Sequence, residues 1–154
     1  MDSYAFNAQV SRVSPIGLSP GIGLRIDVGF VGTITEGPLT GQSMEGIDYL
    51  LIREDGVAVI DARELIATGE GPHISIQARG YIIPPFALPP LAALLQPDFV
   101  WPDADMPLHG AAFPTAGAER DELNRTVYAF TGTVNMGTGQ LMVQATSLTA
   151  AALT

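Results

Sequence analysis

Asp61 and Arg63 stand two positions apart in the run Val57-Ala58-Val59-Ile60-Asp61-Ala62-Arg63, directly after an Asp55-Gly56 turn. In an extended strand they project to the same side as Val57 and Val59. A carboxylate and a guanidinium on a valine face have two uses. Either that face meets solvent, or it lines a chamber in which the pair orients a polar group of a ligand. A second strand-like run, His73-Ile74-Ser75-Ile76-Gln77-Ala78-Arg79, separates cleanly into His73, Ser75, Gln77 and Arg79 on one face and Ile74, Ile76 and Ala78 on the other. A polar face of this kind is commonly the solvated side of an antiparallel sheet, and around a chamber it would be the lining.

Positioning such groups requires a sheet, and the chain supplies the runs for one. Strand-like segments are expected over 5–13, 24–34, 49–53, 57–68, 73–83, 125–134 and 141–148. Gly and Pro punctuate them, in Ser19-Pro20-Gly21, Glu36-Gly37-Pro38, Asp55-Gly56, Gly69-Glu70-Gly71-Pro72 and Gly137-Thr138-Gly139. Short strands at this spacing read as a sandwich or a barrel. Between Phe86 and Asp105, Leu88, Leu91, Leu94 and Leu95 recur at helical spacing behind Pro89-Pro90, which predicts one short helix. The stretch from Pro84 to Gly117, rich in Pro, Ala and Leu, reads as a long connection that plugs one end, makes a subunit contact, or simply packs. It carries Trp101, a candidate for stacking on a flat ligand or for plain packing.

Composition narrows the function classes. A chain of 154 residues suits one domain, 1–154. Seven basic against 16 acidic residues give a formal charge of −9, which repels phosphate backbones and anionic membranes. Nucleic acid and membrane are therefore not expected as partners. With 47% hydrophobic and 15% charged residues, a lined cavity or contacts between copies of the chain should absorb the apolar excess. Cysteine is absent, which removes disulfides, thiolate ligands and a cysteine nucleophile. The first residues, Met1 to Asn7, have neither the basic region nor the apolar core of a secretory signal, so a cytoplasmic location is expected. No apolar run reaches the ~18 residues of a membrane helix.

Several motifs in order carry a resemblance: Gly37-Pro38-Leu39-Thr40-Gly41, Gly46-Ile47-Asp48, Arg53-Glu54-Asp55-Gly56, Asp61-Ala62-Arg63, Arg79-Gly80 and Leu123-Asn124. Together they resemble the domain of unknown function 3237 family over roughly residues 5 to 148. The resemblance implies a calycin-like, lipocalin-like antiparallel β-barrel, and it implies no particular reaction. It also favours an arginine near position 108 and a glutamate at 114, where this chain has Leu108 and Pro114. That departure points to a more apolar ligand.

Asp48, Asp61, Arg63 and Arg79 form the main candidate site. A carboxylate facing a dry chamber has a raised pKa suited to proton transfer, and a nearby arginine could hold an enolate, phenolate or carboxylate. Their alternative role is a structural ion pair between strands. Asp61 or Asp48, with His73, would act as acid or base, Arg79 or Arg63 as anion stabiliser, and Gln77, Asn124, Trp101 and His109 as ligand contacts. Asn124 matches the family motif, and an internal hydrogen-bonding role serves it equally well. His109, read as a loop residue, is either exposed or an acid or base at the barrel mouth. His73 and His109 lack the spacing of a metal set, so no metal or cofactor is expected. The expected activity is cofactor-free isomerase, cyclase or lyase chemistry on a small apolar or aromatic molecule, in a homo-oligomer. A non-catalytic carrier or sensor and a structural subunit with a filled barrel are the alternatives.

Overall fold

A computed structural model describes residues 1–69 and 71–149. Eight antiparallel strands, each bonded to its neighbour in sequence, close into a barrel: β1 (Ser3–Ser19), β2 (Gly23–Glu36), β3 (Ser43–Ile52), β4 (Ala58–Ala67), β5 (Ile74–Ile82), β6 (Met106–Thr115), β7 (Tyr128–Asn135) and β8 (Gln140–Ser147). β1 completes the circle by pairing Ser3–Gln9 with residues 140–146 of β8. The fold class expected from the sequence, a calycin-like antiparallel barrel, is the one observed.

Strict alternation decides which side chains fill it. On β4, Ala58, Ile60, Ala62, Glu64 and Ile66 are buried, while Val59, Asp61, Arg63, Leu65 and Ala67 lie on the outer wall. On β5, Ile74, Ile76, Ala78 and Ile82 are buried and Ser75, Arg79 and Tyr81 exposed. A shift of one residue would exchange these sets, so burial of the aliphatic face fixes the register.

The Asp55-Gly56 turn takes the form its residues dictate. Gly56 has φ +87°, its N–H donates to the Arg53 carbonyl at 2.9 Å, and the Arg53 N–H donates to the Val57 carbonyl at 2.9 Å. The Asp55 Oδ1 accepts the Val57 N–H at 3.0 Å and the Arg53 Nε–H at 3.2 Å, so Arg53 and Asp55 are a turn staple.

Four elements depart from the sequence reading in extent or type. β3 begins at Ser43 rather than Tyr49, and β1 runs on to Ser19. The segment Met106–Thr115, expected as part of the long connection, is β6, paired on both sides. Its prolines, Pro107 and Pro114, sit near the two ends of the strand, where a missing N–H interrupts the ladder least. The expected helix is a single 3-10 segment, Leu91–Leu95, bounded by Pro90 and shortly followed by Pro97. Prolines on both sides leave no room for an α-helix to grow. A second 3-10 stretch, Ala118–Arg125, joins β6 to β7.

Both ends of the barrel are covered. At one, the connection between β5 and β6 lays Pro84, Leu88 and Trp101 over Ile26, Ile52, Ala58, Ile82 and Met106, leaving a crevice of about 30 Å³. The plugging role is thus observed for residues 84–105. At the other, Leu39 and Leu123 are buried, and the Tyr128 hydroxyl donates to the Met1 carbonyl at 2.6 Å. Trp101 packs edge-on against Phe99, ring centres 5.3 Å apart.

Candidate functional site: two carboxyl groups in an apolar barrel

The interior holds a void because one wall is built from small residues. Val28, Asp48, Ala62, Ala78 and Ala112 are successive partners across β2 to β6. The neighbouring row is Phe30, Gly46, Glu64 and Ile76. Gly46 is required there: a Cβ would lie 2.6 Å from the Phe30 ring and 2.9 Å from the Arg63 carbonyl oxygen. Phe30 in turn stacks parallel to Phe6 at 6.5 Å. What remains is a cavity of about 60 Å³, counted as the space open to the centre of a water-sized sphere. That is room for a few water molecules or a small ligand group.

The lining is apolar except for Asp48, Glu64 and the Tyr4 hydroxyl. Glu64 is 9% exposed and accepts no hydrogen bond from a described residue. Burial, reinforced by the charge of Asp48, pushes its carboxyl up to about 8. Burial also raises Asp48 to about 7, opposed by the hydrogen bond it accepts from the Asp61 N–H at 2.9 Å; the Asp61 charge raises it, Arg25 lowers it and Asp27 raises it. Tyr4 stands well above its usual value, first because it is buried and then because Glu64 and Tyr128 are close.

Asp48 owes its position to a break in the sheet. The β3–β4 ladder runs through Asp48↔Ala62 and resumes at Leu51↔Val59, with no pairing between. The Asp48 carboxylate enters that break and takes the Asp61 N–H, while the Leu50 carbonyl accepts a bond from Arg25 Nε at 3.2 Å. Side chains thus satisfy backbone groups that the ladder leaves open.

Of the residues singled out in the sequence, Asp48 alone of the charged set faces the interior. Asp61, Arg63, Gln77 and Arg79 share the outer wall, where Asp61 is the register partner of Arg79 and Arg63 of Gln77. The chamber reading of these four is corrected by strand parity, which assigns the inward places on β4 and β5 to Ala58, Ile60, Ala62, Glu64, Ile66, Ile74, Ile76, Ala78 and Ile82. His73 is exposed just before β5. His109 lies on β6 rather than in a loop, exposed, with its ring 6.0 Å from that of Tyr81. Asn124 clasps the backbone of Ala116, accepting its N–H at 2.8 Å and donating to its carbonyl at 3.0 Å, which is the internal hydrogen-bonding role. Trp101 belongs to the plug. Among the described residues no three His, Asp or Glu side chains converge as a metal site would require.

Glu64 was missed by sequence reasoning. Its signal was present: a single carboxylate in the alternating series Ala58, Ile60, Ala62, Glu64, Ile66.

A closed up-and-down barrel with a small interior cavity defines a calycin-like protein. The chain belongs to the family described as protein of unknown function DUF3237, whose model matches residues 3–146. Among curated proteins none matches. Solved structures share the fold. A protein of unknown function from Clostridium acetobutylicum ATCC 824 is similar at TM-score 0.75 and 16% identity, covering 96% of this chain and 99% of that one. A beta-barrel like protein from Acinetobacter baumannii AYE is similar at TM-score 0.70 and 23% identity, with 94% and 91% covered. A conserved protein of unknown function from Rhodopseudomonas palustris gives TM-score 0.69 and 15% identity, with 95% and 94% covered.

Proposed function

We propose that the barrel takes up a small, mostly apolar molecule and moves a proton on it, acting as a cofactor-free isomerase, cyclase or lyase. The observation that carries this reading is the pair Asp48 and Glu64 in a cavity otherwise lined by apolar side chains and Tyr4, with no hydrogen bond to Glu64 from a described residue. Two carboxyl groups held near neutrality divide the work of acid and base. Asp48, ionised first, removes a proton from carbon next to a carbonyl. Glu64, still protonated, gives its proton to the carbonyl oxygen; Asp48 then delivers the proton it took to a different carbon while the enol hydroxyl returns its proton to Glu64, which completes an isomerisation and restores both carboxyl groups. Tyr4 adds a neutral donor beside Glu64. Leu108 and Pro114 face inward, at the positions where the family resemblance favours charges, which supports a more apolar ligand.

The test is deuterium incorporation into a panel of small cyclic ketones and enones in D2O, followed by NMR, with native mass spectrometry of protein from its own host to identify any carried molecule. The expected result is exchange above background that falls at least tenfold in both Asp48→Asn and Glu64→Gln. A carried ligand without exchange supports a carrier or sensor. No exchange and no ligand supports the filled-barrel reading, which the small volume of the cavity favours.

An exposed apolar strip supports assembly of copies. From Ser11 to Ser19, β1 pairs with β2 alone, and the tip of this hairpin exposes Ile16 (62%) and Ile22 (59%).

A further inference from the structure

The outer wall carries a groove of about 570 Å³ running over β1 to β5, which meets Phe30 and Glu64 of the interior cavity from the other side of the sheet. Its shape follows from two irregularities. β1 bulges between Val10 and Arg12, which turns Arg12 outward opposite Gly29, and Gly29 has no side chain to fill the space beside it. Successive partners then run Arg12, Gly29, Ile47 and Arg63 across four strands. At ~4.8 Å per strand the two arginines stand roughly 14 Å apart at their Cα atoms, at opposite sides of the depression. The floor between and beside them is apolar, with Val31 48% and Tyr49 39% exposed, together with Ile47 and Leu65.

Three features converge there. Neither Arg12 nor Arg63 makes an ion pair or hydrogen bond with a described residue, although the chain has only seven cations against 16 anions. Large apolar side chains are left exposed on the same surface. The volume is that of a small-molecule site. A guanidinium is matched to planar oxyanions, and the remaining acidic charge of the chain, with Glu45 in the groove itself, disfavours polyanions.

We propose that this groove is a second ligand site, for a molecule with one carboxylate on an aromatic or aliphatic body. The carboxylate is held by the Arg12 and Arg63 guanidinium groups and the body lies on Val31, Ile47 and Tyr49. The site stands whether or not the interior performs chemistry.

The experiment titrates the full chain with 2-naphthoate and with its neutral amide, following backbone shifts by NMR. The expected result is saturable shifts at Ile47, Arg63 and Leu65, at least tenfold weaker binding in the Arg12→Gln/Arg63→Gln double variant, and at least tenfold weaker binding of the amide. Recovery of binding in Arg12→Lys/Arg63→Lys supports a charge role. Unchanged affinity in the double glutamine variant, equal binding of the amide, shifts confined to interior positions such as Ala78 and Val143, or no saturable shifts would each overturn the proposal. Both arginines project from the outer wall, so the variants keep the barrel core.

Discussion

Glu64 lies diagonally across from Asp48, one strand over and two places out of register, so both carboxyl groups open on the same apolar cavity. Coupled groups at that spacing ionise in two steps that belong to the pair.

The sign of their effect on stability follows. Each folded carboxyl is raised, from 3.8 to about 7 for Asp48 and from 4.5 to about 8 for Glu64, so the folded state binds more protons than the unfolded one between those values. Below about pH 4 both states are protonated and there is no penalty; stability then falls as pH rises to about 8. Asp48→Asn and Glu64→Gln should each flatten this fall, gaining on the order of 2–4 kcal/mol at pH 9 and little at pH 4. Urea unfolding at a series of pH values measures it. Parallel curves for wild type and both variants would show that the pair is not buried as described.

Ala78 lies between Ala62 and Ala112 in the small-residue wall. Ala78→Val directs two methyl groups into the void, and thermal melts should place its stability within about 1 kcal/mol of wild type, since the space is there to fill. It should abolish any rise in melting temperature caused by interior ligands. A variant that still responds to such a ligand would move the interior site elsewhere.

Gly80 is a harder constraint, because a Cβ there would fall 2.0 Å from the His109 carbonyl oxygen on the paired strand. Gly80→Ala must push β5 and β6 apart and should cost at least about 3 kcal/mol, enough to lower soluble yield or the urea midpoint sharply. A variant as stable as wild type would show that the two strands are not in the described register.

Asn124→Ala removes both hydrogen bonds to Ala116 and should cost about 1–2 kcal/mol, with no change in deuterium exchange or ligand response. A loss of ligand response at unchanged stability would restore Asn124 to the binding machinery.

The strand alternation of β4 and β5 was legible in the sequence, and so was the Asp55-Gly56 turn, because apolar periodicity and Gly punctuation act within a few residues. β6 was not, since Pro107, Gly110 and Pro114 have low strand propensity and the strand is held by partners on both sides. The site was half legible. Asp48 was singled out, but attention to charge drew Asp61, Arg63 and Arg79 inward, where parity does not allow them. Whether a polar alternate faces in or out depends on what the other face must cover. On β4 the other face offered Ala, Ile and Ala, and a carboxylate travelled with them.

The meander joins each strand to the next in sequence, and among the described strand pairings the seam between β1 and β8 is the one that unites the two ends of the chain. Contacts so distant in sequence carry the largest loop-closure entropy, so the seam is the step expected to limit the folding rate. Until it shuts, water reaches Asp48 and Glu64 and they ionise as ordinary acids. Closing the barrel at neutral pH therefore draws protons from the solvent, and the finished molecule carries inside it protons acquired as it folded.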